Sequence, residues 1–462
     1  MVRGQGIVIR TVANAVEERT GGAAFLRKAL RYVFPDHWSF LLGEIALYSF
    51  VVLVATGIYL ALFYSPSIAA TTYHGGYMPL AGQEMTKAYA SGLSLSFDVP
   101  AGLLMRQTHH WAALVFVAAI VIHLMRIFFT GAFRKPRDLN YYIGLTMLMV
   151  AVFEGYLGYS LLDDLLSGMG LAIGYGVALS IPVVGAAFAT LVWGGQFPGT
   201  EAFFSRMFIT HVLILPVILA ALITIHLVLV ARPHHTQFPG PRQTERNVVG
   251  VPMWPGYALR SIGLLLSVAG VLFLLGGLVQ INPIWLWGPY EPYQATNGAQ
   301  PDWYLGWLIG ALRLMPAFDV TIGDYTLIPN PFFGGVLFPL AIFGFLFAWP
   351  SLERRVTRDR FQHNLLDRPR DAPFRTAIGA GVFTFVATVF FAGAADRAFV
   401  QIGVPYETQV WIYRGLAVVL PFVAYRVTRR VCDELRARDR DLRPSIHRIQ
   451  RGPGGGFSSA GR

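Results

Sequence analysis

Eight long apolar runs, separated by polar connections, constrain this chain more than any other feature. A run of about twenty apolar residues is long enough to cross a bilayer as a helix. We expect spanning helices at residues 40–64, 106–130, 141–161, 205–231, 257–281, 331–350, 376–395 and 408–427. The composition agrees, because 54% of the 462 residues are hydrophobic and only 14% are charged, which is less charge than a soluble domain carries. The sequence therefore predicts an all-α, polytopic membrane protein.

The basic residues are distributed unevenly over the connections. Of the 37 Lys and Arg residues, 31 lie in alternate connections and at the two ends, in residues 1–39, 126–140, 231–260, 351–376 and 426–462. Because basic connections stay on the cytoplasmic side of a membrane, this pattern predicts that both termini are cytoplasmic. It also accounts for the net charge of +11 without a nucleic-acid partner. No cleavable signal peptide is expected, since the first apolar run begins only near Phe40, after a basic segment.

One further apolar segment, residues 171–193, competes with this count of eight. It contains no charged residue, so its hydropathy alone would allow it to span. If it did, the three later basic segments, with 21 Lys and Arg residues, would lie outside the cell. The charge distribution therefore places 171–193 on the outer surface, and Pro182 in its middle predicts a broken helix pair.

The predicted organisation has four parts. They are a cytoplasmic N-terminal segment 1–39, a helical bundle 40–231 with an outer amphipathic loop 162–204, C-terminal helices 232–430 with an outer loop 282–330, and a basic cytoplasmic tail 431–462. The single cysteine, Cys432, excludes an intramolecular disulfide. It also leaves no ligand framework for a covalent c-type haem or an iron–sulfur cluster.

Histidines recur at matched intervals in two of the apolar runs. His109 and His123 are fourteen residues apart, so on a helix they lie roughly 40° apart in azimuth and about 21 Å apart in height. His211 and His226 are fifteen residues apart, which gives roughly 60° and about 22 Å. His110 is thirteen residues from His123 and points to the opposite side of the helix, so it is not expected to be a partner.

Two helices with two histidines each, at matching heights, predict two haems stacked across the membrane, each held by two imidazoles. The alternative is that each histidine only hydrogen-bonds a backbone carbonyl. Polar side chains inside a membrane are costly and usually functional, which favours the haem interpretation for two matched pairs.

Glycines share the histidine period on two other predicted helices. Gly43 and Gly57 are fourteen residues apart, as are Gly144 and Gly158. Missing side chains at these heights would leave room for a porphyrin, although small residues also serve ordinary helix packing in membranes. Three arginines lie at the ends of the histidine helices, where haem propionates would need cations: Arg106, Arg126 and Arg206. Arg126 also suits a simple cytoplasmic anchor.

These residues resemble cytochrome b of the cytochrome bc1 and b6f complexes. The spacing R-x-x-H-x13-H-x-x-R, the paired glycines and the second two-histidine helix are shared, and "QPDWYLGWLIGALRLMP" at 300–316 resembles the P-E-W-Y signature of the quinol-oxidation site. The segment "QINPIWLWGPYEPYQATNGAQPDWY" and the basic tail resemble the actinobacterial menaquinol–cytochrome c reductase branch. The resemblance covers nearly all of the chain beyond the first thirty or so residues.

The resemblance implies a four-helix bundle that encloses two b haems. It assigns the outer, low-potential haem to His109 and His211, and the inner, high-potential haem to His123 and His226. It also implies that Asp302 and Tyr304 act in outer quinol oxidation, with Asp302 as proton acceptor, and that Pro301 and Trp303 line that site. The alternative for 301–304 is a proline-started helix with interfacial aromatic residues.

Some positions depart from the family pattern. Leu162 stands where the family usually has proline in an outer loop, so the shape of the outer site differs. Ala231 and Ser261 replace the histidine and the aspartate of the mitochondrial cytoplasmic quinone site. His234, His235 and Glu245 are nearby candidates for that site, although His234 and His235 also suit a solvated loop.

The resemblance implies the core subunit of a quinol:cytochrome c oxidoreductase in a bacterial plasma membrane, with menaquinol as donor. It implies a Rieske iron–sulfur subunit and a cytochrome c-type subunit as partners, a dimer of the complex, and possible association with a terminal oxidase. Two other classes stay open. A diheme anchor for a periplasmic dehydrogenase would not need the P-D-W-Y segment, and a transporter with histidines in a proton path would contain no haem.

Overall fold

A computed structural model of the chain describes residues 28–233, 235–293, 300–399 and 401–441, together with 14, 17–19, 22, 449–451 and 457–459. The helices are, in chain order, α1 (Trp38–Ala61), α2 (Lys87–Phe97), α3 (Gly102–Thr130), α4 (Asp138–Ser160), α5 (Leu165–Leu179), α6 (Gly185–Trp193), α7 (Glu201–Ala231), α8 (Met253–Leu278), α9 (Ile284–Trp287), α10 (Gly306–Leu314), α11 (Phe333–Thr357), α12 (Pro373–Gly393), α13 (Ala395–Phe399) and α14 (Tyr406–Asp441).

Within the described residues, eight of these helices are long and apolar enough to cross a membrane: α1, α3, α4, α7, α8, α11, α12 and α14. The predicted fold class and the predicted number of spans are therefore confirmed. Many large apolar side chains on these helices are exposed, among them Ile58, Val217 and Leu266. Such exposure is expected of surfaces that face lipid rather than water.

The last helix extends beyond the predicted end of its span, residue 427. Helix α14 continues to Asp441, because charged residues beyond the apolar run pair along its surface. Arg429 bonds Asp433 at 3.1 Å and Arg430 bonds Glu434 at 2.9 Å, both four residues on. Pairs at this spacing stabilise a helix after its apolar sequence has ended.

The apolar segment 171–193 forms part of two short helices rather than one span. α5 ends at Leu179 and α6 begins at Gly185, with Pro182 in the break between them, as the sequence predicted. Asp164 caps α5, because its Oδ1 accepts a hydrogen bond from the backbone N–H of Ser167 at 3.1 Å. Side-chain caps of this kind satisfy backbone donors at a helix start.

The histidine helices α3 and α7 each pack closely on one neighbour. α3 packs against α1, and α7 packs against α4, while α8 covers α1 and α3 from the other side. Phe116, Val117, Leu148 and Leu219 are buried in one apolar cluster. These residues lie midway along their helices, so the cluster separates the two ends of the bundle.

The C-terminal helices form a second packed group. α12 packs against both α14 and α10. Strands occur as short antiparallel pairs, and those described join β1 (Val33–Phe34) to β4 (Val251–Pro252), β2 (Ala70–Thr72) to β3 (Glu84–Thr86), β5 (Val320–Ile322) to β6 (Tyr325–Ile328), and β7 (Ile449–Arg451) to β8 (Phe457–Ser459). The pairing of β1 with β4 holds the chain before α1 against the start of α8.

Candidate functional site

The outer histidine pair is formed by His109 of α3 and His211 of α7, whose ring centroids lie 6.3 Å apart. The Thr56 hydroxyl donates to the Val52 carbonyl at 2.7 Å and lies 2.9 Å from His109 Nδ1. Because the hydroxyl proton is already used, His109 Nδ1 donates to Thr56, which leaves Nε2 as a lone-pair ligand. His211 Nδ1 similarly contacts the Glu154 carbonyl at 3.2 Å and a Glu154 carboxylate oxygen at 2.9 Å.

The inner histidine pair is formed by His123 of α3 and His226 of α7, with ring centroids 6.4 Å apart. In the part of the chain that the structure describes, His123 Nδ1 has no hydrogen-bond partner. His226 Nδ1 lies beside the Asn140 backbone but does not form a well-aligned hydrogen bond with it. The two pairs thus share a ring separation but differ in how their rings are oriented by the protein.

Both separations fit one metal ion between two imidazoles. With a metal–nitrogen bond of about 2.0 Å and a ring centre about 1.1 Å behind the nitrogen, two opposed rings would be about 6.2 Å apart. Among the described residues, no group of three or more His, Cys, Asp or Glu side chains could hold a metal ion. An ion between either pair would therefore need its remaining ligands from a cofactor, as an iron porphyrin provides.

The four glycines each face one of the four imidazoles. A Cβ atom on Gly57 would lie 3.2 Å from His109 Cε1, and one on Gly158 would lie 2.6 Å from His211 Cε1. On the inner side, a Cβ on Gly43 would lie 3.2 Å from His123 Cε1, and one on Gly144 would lie 3.8 Å from His226 Cε1. The absent side chains therefore make room for the histidine rings themselves, which the shared fourteen-residue period alone did not reveal.

Two of the three predicted arginines have guanidinium N–H groups that lack a hydrogen-bond partner among the described residues. Arg106 is only 6% exposed and donates to Ser96 Oγ at 3.2 Å and to the Asn282 carbonyl at 3.3 Å, but its second terminal nitrogen has no partner within the described residues. Arg126 lies 4.3 Å above the Phe40 ring, and its Nε and one terminal nitrogen are likewise unpaired there. Since unpaired buried cations are costly, these positions suit an anionic group. Arg206 is exposed.

Asp302 lies at the outer end of α3, within reach of His110. Its Oδ1 lies 2.8 Å from His110 Nε2, and its Oδ2 accepts the Tyr304 hydroxyl at 3.0 Å. Burial raises the pKa of Asp302, but His110 and the Tyr304 hydroxyl outweigh burial, so the pKa lies below its ordinary value. Tyr304 is 3% exposed, and burial together with Asp302 holds its pKa well above the usual value. The site thus contains an ionised carboxylate beside a neutral phenol.

Of the other residues predicted for the outer site, Trp303 is partly exposed and Pro301 directly precedes the pair of Asp302 and Trp303. Sequence reasoning missed His110 as a member of this site. The sequence did contain a usable indication. His110 points away from the side of α3 that carries His109 and His123, so it must face another element of the fold.

The loop after α4 carries two adjacent buried aspartates next to Leu162. Asp163 Oδ2 accepts the Thr86 hydroxyl at 2.7 Å. Burial raises the pKa of Asp163 to about 7 and that of Asp164 to about 6. Both values are far above the ordinary range of an aspartate because few donors compensate for the loss of water.

At the inner end, a carboxylate with three hydroxyl donors lies next to Gly43. Glu44 accepts from Ser261 Oγ at 2.6 Å, from the Tyr48 hydroxyl at 3.2 Å, and from the Tyr257 hydroxyl. This Glu44 cluster joins α1 to α8 at the level of His123. From the sequence, Ser261 was identified only as the residue that replaces the family's aspartate. The Glu44 carboxylate that it contacts was not identified.

The predicted candidates for the cytoplasmic quinone site lie in different surroundings. His234 is outside the described residues. The His235 ring packs against Phe34 with centroids 4.7 Å apart, and Phe34 stacks at 3.9 Å on Tyr257 of the Glu44 cluster. Glu245 instead accepts from the backbone N–H of Leu365 at 3.0 Å and from that of Asn364, so it holds a loop.

Comparisons with known proteins agree with this architecture. Residues 114–289 match a family model described as "Cytochrome b(N-terminal)/b6/petB". The chain is 49% identical over 438 residues to the cytochrome bc1 complex cytochrome b subunit of Mycobacterium tuberculosis, covering 95% of this chain and 79% of the relative. It is 44% identical over 439 residues to the subunit of the same name from Streptomyces coelicolor, covering 95% and 80%.

A solved structure described as "Hyperthermophilic respiratory Complex III" has the same fold. It matches with a TM-score of 0.67 at 22% identity and covers 90% of this chain and 98% of that one. The fold and the site define a polytopic membrane protein with two stacked histidine pairs between the same two helices. The chain belongs to the cytochrome b family, with the cytochrome b subunits of actinobacterial cytochrome bc1 complexes. Membership implies haem b binding and a role in respiratory electron transport.

Proposed function

We propose that this chain is the diheme core subunit of a quinol:cytochrome c oxidoreductase. The observation that carries the proposal is the pair of matched ring separations, 6.3 Å and 6.4 Å, between α3 and α7. His109 and His211 would hold the outer b haem, and His123 and His226 the inner one, each through two imidazoles. When bound, the two haems would carry single electrons across the membrane between two quinone sites.

The propionates of these haems would pair with the arginines at the helix ends. Arg106 and Arg126 contribute buried donors that have no partner among the described residues, which supports this assignment, and Arg206 would act at the outer end of α7. Gly43, Gly57, Gly144 and Gly158 would keep the imidazoles free of steric conflict. The outer haem would rest on rings that Thr56 and Glu154 already orient.

Asp302 would accept a proton from quinol at the outer face. It is ionised, and each carboxylate oxygen keeps a lone pair beyond the bond it already accepts, so it can take the proton as an O–H bond of quinol breaks. His110 and Tyr304 hold the carboxylate in place through opposite oxygens. Pro301 and Trp303 would line the same site. Menaquinol is the proposed donor, as in the actinobacterial branch.

The cytoplasmic quinone site would lie at the Glu44 cluster. A carboxylate with three hydroxyls, beside the inner histidine pair, can both hydrogen-bond a quinone oxygen and supply protons. His235 would border this site through Phe34 and Tyr257, and His234 is its neighbour in sequence. Protons taken up here and released near Asp302 would contribute to a proton gradient.

The complete reaction would require partner subunits. We propose a Rieske iron–sulfur subunit as first electron acceptor, a cytochrome c-type subunit as the next, a homodimer of the complex, and association with a terminal oxidase. The location would be a bacterial plasma membrane, with both termini in the cytoplasm, as the distribution of basic residues predicts.

Spectra of the purified complex test the proposal. A reduced-minus-oxidised spectrum should show two b-type signals, and each menaquinol oxidised should send one electron to the Rieske subunit and one to the b haems. A complex with two b-type signals but no quinol-dependent Rieske reduction would instead be a membrane anchor for a dehydrogenase. A complex without b-type signals would leave the transporter interpretation.

A further inference from the structure

A cavity of about 330 Å³ lies at the cytoplasmic ends of four spanning helices, and none of the four paired histidines lines it. Its walls come from the loop after α3, the end of α11, the start of α12 and the cytoplasmic extension of α14. By the distribution of basic residues, this is the level of the inner lipid headgroups. Polar groups share the lining with the apolar side chains of Phe133, Pro350, Phe361 and Phe374.

The lining carries an excess of cations. Six basic residues face four carboxylates, and each carboxylate already has a close nitrogen partner. Glu353 and Asp367 both accept from Arg375, at 2.7 Å and 2.5 Å. Asp371 accepts from Arg368 at 2.7 Å, and Asp359 lies 2.8 Å from His363 Nε2. Three of the four carboxylates are therefore paired with an arginine, and the fourth contacts a histidine ring.

Some of the basic groups have no such compensation. Lys135 belongs to the loop after α3 and Arg436 to the extension of α14, and neither forms an ion pair with any residue in the described ranges. Arg375 is 2% exposed, and its Nε has no hydrogen-bond partner within the same ranges. The unsatisfied buried donor of Arg375 and the two unpaired cations beside it favour the binding of an anion in the cavity.

We propose that this cavity binds a phosphate group, supplied either by the headgroup of an anionic phospholipid or by free phosphate. Lys135 and Arg436 would contact the phosphate oxygens, and the apolar lining would accommodate the glycerol carbons of a lipid. Basic pockets between spanning helices on the cytoplasmic side recognise anionic headgroups in this way. A bound phosphate would join the loop after α3 to the extension of α14.

The test uses the complete purified complex after exchange into detergent that removes loosely bound lipid. The ligands are short-chain phosphatidylglycerol, short-chain phosphatidylcholine and inorganic phosphate, each titrated at fixed ionic strength. The readout is the thermal denaturation midpoint. The test variant is Lys135→Gln with Arg436→Gln. Its matched control is Arg355→Gln with Arg430→Gln, which removes the same charge from residues that do not line the cavity.

In the wild type and in the matched control, we expect a saturable rise of the midpoint with phosphatidylglycerol. In the test variant, the half-saturating concentration should rise at least tenfold. A charge-preserving variant, Lys135→Arg with Arg436→Lys, should behave like the wild type, which separates loss of charge from a folding defect. A response to inorganic phosphate with the same dependence on the two residues would identify free phosphate as the ligand.

A response to phosphatidylglycerol alone would identify the lipid. Equal responses to phosphatidylglycerol in the test and control variants would overturn the proposal, as would no difference between phosphatidylglycerol and phosphatidylcholine with no effect of inorganic phosphate. The readout does not require quinol turnover, so its result is independent of the proposed function.

Discussion

The outer and inner histidine pairs differ in what holds the imidazoles rather than in how far apart they lie. At the outer pair, Thr56 and Glu154 accept hydrogen bonds from the Nδ1 atoms of His109 and His211. At the inner pair, Nδ1 of His123 has no partner in the described chain. The outer rings are therefore oriented and polarised by the protein, whereas packing alone orients the ring of His123.

This difference has an electronic consequence for a bound haem. An acceptor on Nδ1 raises the basicity of the coordinating nitrogen, and His211 Nδ1 contacts two acceptor oxygens of Glu154. These acceptors would favour the oxidised, more positive iron. They would give the outer haem the lower potential, which is the order that moves electrons inward from the outer quinol site.

The largest expected effect comes from removing the ligands themselves. His211→Leu should abolish the outer b-type signal and keep the inner one, and His226→Leu should do the reverse. His110→Leu serves as the control and should retain both signals, since His110 faces Asp302 and not His211. Low-temperature reduced-minus-oxidised spectra measure this outcome. Loss of a haem from His110→Leu would show that the outer pair depends on more than its two imidazoles.

The next effect concerns the outer carboxylate. Asp302→Asn should lower the rate of menaquinol oxidation by about 10²-fold or more, the usual scale for loss of a positioned proton acceptor, and leave both haem spectra intact. Asp302→Glu should keep substantial activity because it preserves the carboxylate. Steady-state turnover of the whole complex, measured across the pH range, tests both expectations. Turnover of Asp302→Asn near that of the wild type would assign the proton to another group.

Substitution of the glycines should affect the two pairs unequally. Gly158→Ala places a methyl group 2.6 Å from His211 Cε1, whereas at Gly144 the corresponding distance to His226 is 3.8 Å. We therefore expect Gly158→Ala to lower outer haem occupancy and Gly144→Ala to leave inner occupancy near normal. Haem content per complex, with each band integrated separately, measures the contrast. Equal loss in both variants would mean that the glycines serve the porphyrin rather than the imidazoles.

A smaller effect is expected on the haem potentials. Thr56→Val removes the acceptor for His109 Nδ1 with little change in volume, so the outer potential should rise by about 20–60 mV, where about 59 mV corresponds to a tenfold shift for one electron. The inner potential should not change. Redox titration of both bands in one sample measures the shift, and the inner band serves as the internal control. An unchanged outer potential would show that the hydrogen bond does not distinguish the two pairs electronically.

The smallest effect concerns the outer loop. The pKa of Asp163 is about 7 in the folded protein and about 3.8 without burial. The folded state therefore holds a proton that the unfolded chain has released, and stability is lost as pH rises through this window. Asp163→Asn should reduce the fall of the denaturation midpoint between pH 5 and pH 8. Asp324→Asn, an exposed position in another outer loop, provides the control and should keep the wild-type slope.

Much of the architecture follows from local features of the sequence. The eight spans follow from the length of their apolar runs, and the broken pair α5 and α6 follows from Pro182 and from the positions of the basic residues. The heights of His109 and His123 follow from helix geometry alone. Each of these predictions uses only neighbours along one helix or one connection, where the spacing of residues is set by the helical repeat.

The partners of those residues were decided only by tertiary packing. Asp302 and His110 are 192 residues apart, and Glu44 and Ser261 are 217 apart. Helical periodicity states which way a side chain points, but it does not state which helix will lie there. That choice depends on how whole helices fit against one another. The sequence by itself determined the heights of the paired histidines and the number of spans. The structure decided that Thr56 orients one histidine, that His110 holds the outer carboxylate, and that Glu44 faces α8.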